Sequence, residues 1–83
     1  MNVSENIRSA VSGKVVSVLC KERTYVYEWE PLIEIVTSDG LVEKIASEVG
    51  GTVTTLFVLP GTIVKNGTNV ACIDVSLVGI AAD

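Results

Sequence analysis

The sequence predicts an all-β fold, a flattened barrel or sandwich of two related antiparallel half-sheets. Three observations point there. Val, Ile and Leu dominate the apolar set and only four of 83 residues are aromatic, and β-branched side chains suit a pleated, half-buried surface better than a helix. No segment sustains helical periodicity. The chain also repeats its own plan: displaced by 38 residues, the stretch 13–35 lies on 51–73 without a gap, pairing Gly13 with Gly51, Val15 with Val53, Val26 with Val64, Leu32 with Val70 and Ile35 with Ile73. A chain of this length is read as one domain, residues 1–83, whose small core hides about 60–65% of the unfolded surface.

Each half opens on a glycine, Gly13 or Gly51, where a sharp bend or positive φ is expected. The apolar positions that follow step by three and then two, Val15, Val18, Cys20 and Val53, Leu56, Val58, so a β-bulge is expected to turn each strand around a corner. Pro60-Gly61 and Asn66-Gly67 are turn dipeptides; the first half has Glu22-Arg23 and Glu28-Trp29 in their places. About seven or eight short strands result, folded face to face. Between the halves lies a central hairpin, residues 32–46, with Ser38-Asp39-Gly40 at its tip. A two-residue Asp39-Gly40 turn would set Glu34 against Ile45. A three-residue loop instead sets Ile33 against Ile45, Glu34 against Lys44, Val36 against Val42 and Thr37 against Leu41. Matched cross-strand pairs are each worth about 0.2–1 kcal/mol, so the longer loop is predicted, with Gly40 in the left-handed region. The tail, 76–83, is apolar; an added edge strand, a segment for a partner's groove and a frayed end are its alternatives.

Composition removes several functions. The net charge is −4 with no basic cluster, so nucleic acid is not an expected partner. No run approaches the roughly 18 apolar residues of a membrane span, and the first ten residues lack the pattern of a secretory signal, so a cytoplasmic location is expected. The sequence contains no His, which takes away the usual general base and the commonest metal ligand. Cys20 and Cys72 stand 52 residues apart; free thiols are expected, with one disulfide as the alternative. Glu28, Glu30 and Glu34 form a modest acidic patch, read as a solvated strand edge, and no metal site is expected. Tyr25, Tyr27 and Trp29 alternate, which places them on one side of an extended segment. Tyr25 is expected to face inward near its counterpart Ile63. Trp29 matches Gly67, a turn position, and is the candidate anchor for a protein partner; a Trp folded back as a lid over the barrel end is the alternative.

The order "GKVV", "PLIEI", a hairpin, "GGTV" and "PGTIVKNGTNVACI" resembles the biotinyl/lipoyl attachment domain family, the barrel-sandwich hybrid, over residues 7–75. That resemblance implies a central hairpin whose tip lysine is acylated by biotin or lipoate and swings between the active sites of a multi-enzyme complex. This chain departs from the pattern. Counting along the family's plan puts the lysine position on Asp39 from one side and on Gly40 from the other, so the hairpin carries an extra residue, and neither position is a lysine. The Met-Lys-Met signature of biotin carriers is absent too. The expectation is therefore a non-enzymatic biotinyl/lipoyl-like module acting through protein–protein contacts, with no covalent cofactor. Its alternative is a biotin or lipoyl carrier whose attachment lysine is displaced to Lys44. Lys44 reads more simply as Glu34's partner on an exposed strand, and Lys14, Lys21 and Lys65 as solvated strand-end charges; Lys65 sits at a turn, but in the other half.

Overall fold

The computed structural model describes residues 2–76. Eight strands follow in order: β1 (Asn2–Arg8), β2 (Gly13–Val18), β3 (Tyr25–Val26), β4 (Pro31–Val36), β5 (Val42–Ala46), β6 (Gly51–Leu56), β7 (Ile63–Val64) and β8 (Asn69–Ser76). They form two four-stranded antiparallel sheets, β1-β8-β6-β3 and β5-β4-β2-β7. The tail beyond Ser76 lies outside the described residues.

Positions 38 apart hold equivalent places. The β2–β4 ladder skips Val16 between Val15 and Ser17, and the β6–β8 ladder skips Thr54 between Val53 and Thr55. These are the expected bulges, and each bends its strand so that one sheet wraps toward the other. The correspondence runs wider than the sequence comparison: β5 matches the second part of β1, with Ile7 and Ile45 both buried. Ser9 and Ser47 follow, each hydroxyl accepting from the N–H two residues on, Val11 or Val49, and donating to that residue's carbonyl. These local loops satisfy two buried hydroxyls where the chain leaves the sheet.

The core is aliphatic: Val15, Leu32, Ile35, Val53, Val70 and Ile73 are among its fully buried members. Sheet faces of Val and Ile meet there with few rings, as a narrow sandwich requires.

The two strand-initial glycines have a different reason from the one expected. Positive φ among glycines occurs at Gly40, Gly61 and Gly67, not at Gly13 or Gly51. A Cβ on Gly13 would strike the Val36 carbonyl oxygen, and one on Gly51 would stand 2.6 Å from both the Asp74 carbonyl oxygen and Ile73 Cγ2. They are glycines because a neighbouring backbone crosses too close for any side chain.

The turns show where the halves diverge. The N–H of Gly61 donates to Val15 O and that of Arg23 to Val53 O, both at 2.7 Å; likewise Gly67 donates to Ser9 O and Trp29 to Ser47 O. The second half meets these left-handed positions with glycine. The first half meets them with Arg23 (φ 67°) and Trp29 (φ 65°). A bulky residue there costs on the order of 1–2 kcal/mol, and glycine returns part of that gain as unfolded-chain entropy. Trp29→Gly is expected to raise stability by about 0.5 kcal/mol, readable as a higher midpoint in urea.

Candidate functional site at the hairpin tip

The β4–β5 ladder has the register expected of a three-residue loop: Ile33 faces Ile45, Glu34 faces Lys44 and Val36 faces Val42. Thr37 N–H donates to Leu41 O at 2.8 Å, closing the loop, and Gly40 N–H donates back to Thr37 O at 3.0 Å. Gly40 has φ 83°, the left-handed loop end that a three-residue hairpin demands. The Thr37 hydroxyl donates to Asp39 Oδ1 at 2.8 Å, so the one charged group of the tip is tied to its own hairpin. Ser38, Asp39 and Gly40 are all exposed.

No amine belongs to this tip. Lys44 is exposed on β5 opposite Glu34, yet no ion pair forms between charged side chains among the described residues, and its strand position gives it none of the reach of a turn residue. Lys14, opposite Val36, and Lys65 are the lysines that the fold brings beside the hairpin. An open groove of about 540 Å³ runs beside the tip, lined by Ser12–Lys14, Val36–Ser38 and Ile63–Lys65. Nothing local in the sequence signals this neighbourhood, because it joins the first, middle and last thirds of the chain. A smaller cleft of about 260 Å³ lies between Glu5–Arg8 and Ala46–Val49, where the edges of the two sheets meet. It assembles no nucleophile with a base.

The remaining candidates carry no catalytic chemistry. Cys20 and Cys72 are free, Cys20 buried and Cys72 half-buried. Burial, and then the charge of Glu30, push the Cys20 thiol up, which disfavours the thiolate. Glu30 is occupied with the chain itself, accepting the Tyr27 N–H at 2.9 Å. No group of three or more His, Cys, Asp or Glu able to hold a metal occurs among the described residues, and no helix there is long and apolar enough to cross a membrane.

The aromatic stretch differs from expectation in one respect. Tyr25 faces outward, 53% exposed, and so does Ile63. In a two-residue strand Val26 takes the inward position, which turns both its neighbours to solvent. Tyr25 and Tyr27 meet edge to face at 5.1 Å. The turn Tyr27–Glu30 is closed by Glu30 N–H donating to Tyr27 O. On it Trp29 stands 63% and Tyr27 70% exposed, so the Trp is no lid.

No family profile matches the sequence, and no curated protein sequence matches it either. Solved structures do. The chain is similar to part of the urea carboxylase of Kluyveromyces lactis, with a TM-score of 0.79 at 20% identity over 86% of this chain. It is likewise similar to part of a single-chain, multi-domain long-chain acyl-CoA carboxylase, with a TM-score of 0.80 at 18% identity over 88% of this chain. The chain spans only 6% and 7% of the lengths of those proteins. At such identity the likeness shows the fold: an all-β barrel-sandwich of the biotinyl-domain type, of a kind that large carboxylases contain as a small part.

Proposed function

We propose that this chain is a non-enzymatic, biotinyl/lipoyl-like module that works through protein contacts and carries no covalent cofactor. The observation that carries the reading is the hairpin tip. Its register is locked by the Thr37–Leu41 bond, its turn is closed by a left-handed Gly40, and its only charged group is bonded inward. The tip residues therefore do not fit biotin or lipoate, which need an amine there, and no chemistry is assigned through either group. The exposed Trp29, held in a costly backbone conformation where the matching half has glycine, supports the contact role, since strain of this kind persists where a side chain is used. A cytoplasmic setting goes with this proposal.

The carboxylase neighbours favour a second reading, a carrier for biotin or lipoate serving a multi-enzyme complex, with Lys44 as the displaced attachment point. Production of the chain together with a biotin ligase, and separately with a lipoate ligase, followed by intact-mass measurement, separates the two. The first reading expects the unmodified mass in both; an adduct located on Lys44 would establish the second.

A further inference from the structure

The two halves treat one place in opposite ways. Tyr25 and Tyr27 are the counterparts of Ile63 and Lys65, and Gly50 is the counterpart of Ser12. In the first half the Tyr25 ring lies over Gly50, its hydroxyl oxygen 2.8 Å from where a Cβ would stand. In the second half the corresponding place is the open groove beside the hairpin, whose lining includes the half-buried Val36, a 71% exposed Ile63 and the exposed Lys14 and Lys65. The protein thus fills with aromatic rings on one side what it leaves open on the other. The open side is cationic. The filled side ends in the Tyr27–Glu30 turn, where Tyr27 and Trp29 project among Glu28, Glu30 and, across the Trp29–Ser47 bond, Glu48.

We infer that the aromatic, acidic turn of one copy docks into the lysine-lined groove of a second copy. This rests on the protein-contact reading above and names the partner. The rings supply apolar area against Val36 and Ile63, and the exposed Glu28 and Glu48 face Lys14 and Lys65, an arrangement in which large aromatics anchor and opposite charges steer. Turn and groove lie on edge strands of different sheets, after β3 and along β7. The contact is head to tail: a pair leaves the groove free on one copy and the turn free on the other, so association continues into a ring or an open chain instead of stopping at a two-fold dimer.

Sedimentation equilibrium over a wide concentration series tests it. The average mass is expected to climb above the monomer value with concentration and to fall back as salt screens the lysines. Trp29→Gly, which the backbone favours, should lose the association while the fold becomes no less stable, and a merely structural Trp would not behave so. Lys14→Glu/Lys65→Glu and Glu28→Lys/Glu48→Lys should each remain monomeric alone, because each opposes like charges, and should associate when mixed. These four positions are exposed, and far-UV circular dichroism checks that their folds are kept. A wild-type chain that stays monomeric throughout, or association indifferent to both charge reversals, would overturn the inference. An unmodified intact mass in that case leaves the protein-contact reading standing, whereas an adduct removes that reading whatever the sedimentation result.

Discussion

Replacing Gly51 with alanine is expected to lower the stability of the fold by about 3 kcal/mol, the upper part of the range for forcing a methyl group into filled space. The added carbon would sit 2.6 Å from the Asp74 carbonyl oxygen and from Ile73 Cγ2. The first is backbone of the central β6–β8 ladder and the second belongs to a fully buried side chain, so neither can give way without moving the sheet. Gly13→Ala meets the same obstacle at the Val36 carbonyl and Ile35 Cγ2. For a domain this small, whose total stability is of order 5–10 kcal/mol, that loss corresponds to a fall in melting temperature of roughly 12–24 °C. Gly40→Ala is the internal control. Nothing lies within 4 Å of its would-be Cβ, so only the positive φ is penalised, at about 1 kcal/mol. Urea unfolding of the three variants should rank Gly13 and Gly51 well below Gly40; an equal or reversed order would mean that close backbone approach is not why these strands begin with glycine.

Restoring an amine to the tip is expected to need two changes. Gly40→Lys has room for its side chain, but it puts the lysine at φ 83° at the end of a three-residue loop, one residue longer than the hairpin that the resemblance implies. Deleting Ser38 as well leaves Thr37 opposite Leu41 and preserves Glu34 opposite Lys44, while shortening the loop to the two residues that favour the primed turns. Labelling by a biotin or lipoate ligase should therefore be weak or absent for Gly40→Lys and substantially greater for the double change, read as the fraction of shifted intact mass. Full labelling of the single variant would show that loop length does not govern presentation.

Much of this architecture was legible because it is written in local rules. The three-residue loop follows from which side chains face each other across the hairpin, and Glu34 does face Lys44. The bulges follow from the three-then-two spacing of Val15, Val18 and Cys20 and of their counterparts. What failed depended on the third dimension. Gly13 and Gly51 read as places for a sharp bend or positive φ, whereas the crossing strand that forbids a side chain comes from residues more than twenty positions away. Tyr25 looked inward because its counterpart is Ile63, yet that isoleucine is itself exposed, and in so short a strand only one residue can point at the core. The match of β1 with β5 is legible as well, since Glu5, Ile7, Ser9 and Val11 recur as Glu43, Ile45, Ser47 and Val49, but it lies ahead of the strand-initial glycines that mark where the two stretches start. The groove was missed because Lys14, Ser38 and Lys65 are far apart in the chain.

The most direct test of the central claim is the intact mass of the wild-type chain isolated after co-production with each ligase in the presence of its cofactor. The account predicts the mass of the bare polypeptide, with Lys44 and Lys65 both free of biotin and of lipoate. A mass raised by either group, on any lysine, would contradict it.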